Sequence, residues 1–264
     1  MFCILEIKER KKRLFHKNPP YSAVKTVIPK TAVFENITVF SYSGKCDFYS
    51  VREHLKSFSK SVILAENCTL PDSSGIFEFS SNDLRARMTL NSALFLLEGI
   101  KKKRDVSLVI ADKAGSFSAF AEEFVPLAGR VKVITESLLR YNYASQEIFE
   151  DYGAVVSVDG WTACVPDADV FVSLSSSGFS PMSVTVKNRT QNSFITLEGD
   201  TFLLPECYEK YRNVNVSPYS FASALYSLSS VRELGEMKYN SFTVNGRQIT
   251  LDSAVKMLDT LFNI

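Results

Sequence analysis

The residue types that could do chemistry in this 264-residue chain gather where an apolar run gives way to small and hydroxyl side chains, at Asp112-Lys113-Ala114-Gly115-Ser116-Phe117-Ser118. The run before it, Val106–Ala111, reads as a strand, and Ser116 or Ser118 is placed to open a helix to about Phe124, stopped near Pro126. In nucleotide-binding α/β folds a glycine at such a turn lets the backbone approach a phosphate. The helix that follows offers N–H donors and the positive end of its dipole. Gly115, Ser116 and Ser118 have the types needed for one phosphate, whereas bulky Phe117 and anionic Asp112 weigh against it. A lone glycine also serves turns for purely structural reasons.

Three further stretches belong with this turn. Glu136 lies 21 positions beyond Gly115, directly after the apolar run Val131–Thr135. An acid at that distance is placed to hold ribose hydroxyls, although an acid at a helix start is favoured by the dipole alone. Ser173–Ser177 with Gly178 follow another apolar run, and Ser175 and Ser176 offer hydroxyls where open α/β sheets bind ligands. Ser175 is in no G-x-S-x-G elbow and no motif supplies a histidine partner, so a serine hydrolase fits poorly. Gly160-Trp161-Thr162-Ala163-Cys164 holds the single tryptophan, placed to line a pocket or to cover a core edge. Cys164 has no charged motif beside it that would activate a thiol. The two histidines, His16 and His54, sit in no cluster with metal-ligand spacing, so no metal is expected.

The elements that must position these residues follow a strand–helix rhythm. In residues 1–102, strands are expected at Cys3–Ile7, Ile37–Tyr42, Ser61–Ala65 and Ile76–Phe79. Asp47 starts a helix to about Phe58, and Ser81 or Asn82 caps another through about Ile100. The rhythm becomes more regular in residues 103–264, with further strands at Val131–Thr135, Ala154–Val158, Asp169–Leu174, Phe194–Leu197 and Val214–Val216. Helices are expected at Ser137–Tyr152, stopped by Gly153, after Ser180-Pro181, over Pro205–Tyr211 and from Ser217-Pro218 to about Leu234. A hairpin at Asn245-Gly246 and a terminal helix from Asp252 close the chain. Apolar strands alternating with helices predict an α/β fold: a doubly wound, mostly parallel Rossmann-like sheet in the order 3-2-1-4-5-6, preceded by a smaller α/β domain.

Bulk properties narrow the partners. Thirty basic residues balance 29 acidic ones, and no apolar run approaches a membrane span, so neither nucleic acid nor membrane is expected. The basic cluster Lys8–Lys17 reads as a solvated edge or arm. Five scattered cysteines and an N-terminus without the order of a secretory signal point to a reducing, cytoplasmic setting. Twenty phenylalanines and 11 tyrosines leave room for an interface, and a homo-oligomer is compatible with them.

On the strand–turn–helix of Val106–Phe124 and on Glu136, the layout resembles the two-domain NAD(P)-binding Rossmann proteins of the shikimate dehydrogenase kind. That resemblance implies an N-terminal substrate domain, a Rossmann domain with NAD or NADP as cofactor, and a terminal helix packing back. The chain departs from the family at its glycine-rich turn, where it reads DKAGSFS, and has no counterpart of the family's substrate-domain lysine and aspartate. Two functions stay open. One is binding of NAD(P) or another small phosphate-bearing ligand at the carboxyl ends of the strands, by Gly115, Ser116, Ser118, Glu136, Ser175 and Ser176. The other is a non-catalytic binding or assembly role with a degenerate cofactor site. A Rossmann-type methyltransferase is weaker, since its glycine-rich turn is missing as well.

Overall fold

A computed structural model describes residues 2–8, 21–28, 37–44, 48–66, 68–161, 167–175, 182–212, 214–228 and 232–262. Strands β1 (Phe2–Lys8), β2 (Tyr21–Ile28) and β3 (Ile37–Gly44) lead to helix α1 (Phe48–Leu55), β4 (Val62–Leu64) and α2 (Asp83–Glu98). Next come β5 (Ser107–Ala111), β6 (Arg130–Thr135), α3 (Leu138–Tyr152), β7 (Val156–Gly160), β8 (Val170–Ser173), β9 (Ser183–Asn188) and β10 (Ser193–Gly199). The chain continues through α4 (Glu206–Glu209), α5 (Pro218–Leu228), β11 (Ser241–Val244), β12 (Arg247–Thr250) and α6 (Leu251–Phe262). The class is α/β with a parallel-stranded sheet. The chain divides into two compact units, Met1–Leu84 with Leu204–Gly235, and Arg85–Leu203 with Glu236–Ile264.

The first unit holds a four-stranded sheet ordered β2-β3-β1-β4, with β1 parallel to β3 and β4, and β2 antiparallel to β3. Cys3, Leu5, Phe40 and Tyr42 from the sheet pack with Val51 and Leu55 of α1. Burial pushes the Cys3 thiol up to about 12, which keeps it protonated and inert. Glu6 is a buried carboxylate inside this unit, and it accepts hydrogen bonds from Ser41 Oγ and Asn215 Nδ2. Residues 76–79 do not form the strand expected there. They make one isolated parallel bridge, Val62 to Glu78, after a 3-10 turn at Asp72–Ser74.

The second unit is built on an eight-stranded sheet ordered β12-β11-β10-β9-β8-β5-β6-β7. Its strands β7, β6, β5 and β8 are parallel neighbours, which matches the 3-2-1-4 part of the expected order. Beyond β8 every pairing is antiparallel. Between β9 and β10 the reason is loop length: only residues 189–192 join them, too few for the dozen or so that a parallel crossover needs. Asn192, at φ 48°, takes the tight turn. The expected strand at Val214–Val216 is a turn instead, and β9 was not foreseen.

Helix α3 ends as expected, with Gly153 at φ 64° and its N–H donated to Phe149 O. The Asn245-Gly246 hairpin has both residues at positive φ, 49° and 75°, as a type I′ turn requires. The helix expected after β5 is a 3-10 segment, Ser118–Leu127. Pro126 lies inside it, without an N–H for an α-helical bond and with a ring that crowds the carbonyl four residues back. Helix α2 is tied to the chain before β11, where Asn91 Nδ2 donates to Met237 O and Tyr239 N donates to Ser92 Oγ. No helix among the described residues is long and apolar enough to cross a membrane.

Candidate functional site

The parallel quartet reverses direction of travel between β5 and β8, so its carboxyl edge carries the switch point at which open α/β sheets bind ligands. Three turns meet there, and they are joined through Lys113. Its backbone N–H donates to Ser175 Oγ at 3.1 Å in the turn after β8. Its carbonyl accepts Glu136 N at 3.0 Å and Thr135 Oγ1 at 3.3 Å in the turn after β6. Ser137 Oγ donates to Ala114 O at 2.8 Å, and Ser173 Oγ donates to Ser175 O at 3.2 Å. Gly115, Glu136 and Ser175, proposed separately from the sequence, are therefore within one hydrogen-bonded edge.

At the centre of the turn lies Asp112, which is 2% exposed. Its Oδ2 accepts Phe117 N at 2.8 Å and Tyr141 Oη at 2.8 Å, and its carbonyl accepts Gly115 N at 3.2 Å. Phe117 N is the amide at the start of the 3-10 segment, the donor that a bound phosphate would use in a dinucleotide fold. Here a carboxylate of the protein itself takes that amide. Burial, then the charge and hydrogen bond of Asp112, push the Tyr141 phenol far above its ordinary value, so Tyr141 stays a donor.

Gly115 is the left-handed residue of the turn, at φ 67°, and it is buried. A Cβ there would lie 2.6 Å from Ser137 Cβ. The missing side chain thus lets the turn close on the start of α3, and the backbone is not presented to an outside molecule. Ser116 is exposed, and Ser118 is half-buried as the first residue of the 3-10 segment. Glu136 is exposed and faces Lys113 Nζ at 3.4 Å. A pair so open to water contributes little, of the order of 0–1 kcal/mol. The Lys113 ammonium also lies 5.8 Å from the Trp161 ring centroid. Trp161 packs on Val109, Ala111, Ile134, Ala168 and Phe171, which covers this side of the sheet. Ser176 and Cys164 lie outside the described residues.

Two residues of this edge escaped the sequence reading as contributors. Asp112 was noted only as an unfavourable charge, and Tyr141 only as part of a helix. The signal that would have found them is local: an Asp directly after an apolar strand and five residues before a helix-like start caps amides much as an N-cap does.

On the other side of β5, toward the amino ends of the strands, an open cavity of about 720 Å³ is lined by Ser107, Lys132, Ser157, Asp169, Lys187 and Arg189 among others. Its polar groups mostly satisfy one another. Asp169 accepts Ser107 N at 2.9 Å, Ser107 Oγ at 2.8 Å and Arg189 Nε at 2.8 Å, and Lys187 pairs with Asp167 at 2.7 Å. Burial favours the neutral form of Asp169, but the bonds from Arg189 and Ser107 outweigh it and hold the carboxyl below its ordinary value. Among the described residues no group of three or more His, Cys, Asp or Glu side chains is placed to hold a metal ion.

No protein-family model matches the chain, and no curated protein does. One solved structure is similar at low level, L-tryptophan dehydrogenase from Nostoc punctiforme, at 11% identity, 87% of this chain, 68% of that chain and a TM-score of 0.27.

Proposed function

We propose that this chain is a non-catalytic binding or assembly protein on a Rossmann-like frame, its cofactor turn closed by its own carboxylate. The observation that carries this reading is the pair of bonds into Asp112 Oδ2 from Phe117 N and Tyr141 Oη. A phosphate at that turn would have to displace a buried carboxylate from a charge-assisted amide bond, and would meet like charge as it arrived. Lys113 N, a second amide of the turn, is already donated to Ser175 Oγ. Hydride transfer of the shikimate dehydrogenase kind needs a cofactor on that turn, so this reading leaves it out.

A second reading is kept by one observation. Glu136 is exposed at the carboxyl edge, next to Lys113 and within reach of the switch point. In that reading NAD(P), or another small phosphate-bearing ligand, rests its ribose on Glu136 with its phosphates near Ser116 and Ser118.

A thermal-shift titration with NAD, NADP, S-adenosylmethionine and ATP separates the two. A ligand at 100 times its dissociation constant stabilises the native state by about 2.7 kcal/mol. The proposed function predicts no shift with any of the four. A saturable shift with NAD or NADP that Glu136→Ala abolishes would establish the second reading instead.

A further inference from the structure

The cavity at the amino ends of the strands lies on the face of the sheet turned away from Asp112. Successive side chains of a strand point to opposite faces. Asp112, which Tyr141 reaches from α3, therefore shares one face with Ile110 and Leu108, and Ser107 and Val109 point to the other. The register carries that second face across the sheet. Ser107 stands opposite Arg130, Val109 opposite Lys132, and Lys132 opposite Ser157. All five line the cavity, whose volume of about 720 Å³ falls within the roughly 300–1,000 Å³ of small-molecule sites.

Most charges around it are matched. Lys132 pairs with Asp159, Lys187 with Asp167 and Arg189 with Asp169. Two are left over. Arg130, exposed on β6, and Asp105, exposed at the end of the 3-10 turn Lys103–Asp105, both line the cavity, and neither forms an ion pair among the described residues. Arg189 feels the Asp105 charge, but its own bonds go to the Asp169 carboxylate and to the Asp105 carbonyl. Asp105 comes two residues before Ser107 and Arg130 stands opposite Ser107, so the two open charges are about 5–8 Å apart at the backbone. One is a cation and the other an anion.

We infer that this cavity binds a small zwitterion, its carboxylate on the Arg130 guanidinium and its protonated amine on the Asp105 carboxylate. A guanidinium takes a carboxylate through two parallel N–H bonds, a fit that an ammonium does not offer. A lone anion would satisfy Arg130 and leave Asp105 facing like charge, and a lone cation would do the reverse. A molecule that carries both charges a few bonds apart matches both. The Ser157 hydroxyl, exposed and without a hydrogen-bond partner among the described residues, is a third polar contact on the β7 side. In the floor Val109 is 3% and Ala168 4% exposed, so a short carbon chain is all the apolar body the site accommodates. The cavity lies at the opposite ends of the strands from the turn at Asp112 and shares no residue with it. The inference therefore goes beyond the proposed function and stands or falls separately.

The test titrates the full, isotope-labelled chain with 4-aminobutyrate at neutral pH and low salt, followed by amide chemical shifts. A saturable one-site response is expected at Ser107, Lys132 and Ser157, with no change at Gly115 or Phe117. Butyrate and butylamine each carry one of the two charges. They are expected to bind at least about tenfold more weakly, the worth of one charge-assisted hydrogen bond. Arg130→Gln should weaken 4-aminobutyrate by a similar factor and leave butylamine unchanged. Asp105→Asn should weaken it and leave butyrate unchanged, a split that a merely structural role would not give. Both side chains are exposed, so thermal unfolding of each variant should match the wild type. Arg247→Gln, on β12 at the other end of the strand order, leaves binding intact. The inference is overturned by the absence of a saturable response, by butyrate or butylamine binding as tightly as the zwitterion, or by an affinity that either site substitution leaves unmoved. A response centred on the turn after β5 overturns it as well.

Discussion

Replacing Asp112 by alanine removes the acceptor on which two buried donors depend. Phe117 N and Tyr141 Oη each lie 2.8 Å from Oδ2, and all three residues are at most 9% exposed. Water does not reach the site freely, so the orphaned amide and phenol each cost about 1–3 kcal/mol. Together they predict a loss of about 2–6 kcal/mol for Asp112→Ala. Tyr141→Phe leaves Asp112 with its amide bond and should cost about 1–2 kcal/mol, but on the Asp112→Ala background it should cost almost nothing, because the phenol has no partner left to lose. The double-mutant cycle therefore predicts a coupling of at least about 1 kcal/mol. Urea unfolding followed by Trp161 fluorescence is the assay, since the single tryptophan packs on the parallel sheet of the same unit. Asp112→Ala within about 0.5 kcal/mol of wild type, or strictly additive losses, would refute the closed turn.

Other consequences follow from the same geometry. Gly115→Ala meets both a positive φ and a Cβ 2.6 Å from Ser137 Cβ, so it should destabilise by about 2–4 kcal/mol. Gly246→Ala, with the same sign of φ but open space around it, should cost only about 1 kcal/mol, and equal losses in urea melts would contradict the packing argument. The folded-state pKa of Asp169 is depressed, so its contribution is complete above the unfolded value of about 3.9 and is lost as the pH falls through the lower folded value. Asp169→Asn should then flatten the fall in stability below about pH 4, whereas superimposable acid limbs would remove Asp169 from the account. Ser175→Ala leaves Lys113 N without its side-chain acceptor. It should speed amide exchange at Lys113 with little change at Asp112, and unchanged exchange would count against the junction of the two turns.

Most of the parallel quartet was legible because β5, β6 and β8 are short apolar runs, and because Gly153 and Asn245-Gly246 are strong local signals. What could not be read was set by distance along the chain. Helix α5 and residues 204–235 return to the first unit, and the bond from Asn215 to Glu6 spans 209 positions with no local trace. In the antiparallel half, Phe194–Leu197 and the Asn245-Gly246 hairpin were legible, and β9 was not. SVTVKN alternates with period two as a one-sided strand does, but Ser180-Pro181 just before it has the types of a helix start, and the structure has β9 in place of the helix expected there. Gly115 was found for a reason that differs from its packing: a positive φ and a close approach are both present, yet the approach is to Ser137. Glu136 and Ser175 both lie at the carboxyl edge of the parallel strands, while Asp112, which organises that edge, reads in the sequence only as a charge.

The central claim is that the amides of the turn after β5 are occupied from within. An amide chemical-shift titration of the labelled protein with NAD and NADP tests it residue by residue. The account predicts that Lys113, Gly115 and Phe117 stay in place at millimolar cofactor. Saturable shifts at these three amides, fading in Glu136→Ala, would contradict it and make the turn a working dinucleotide site.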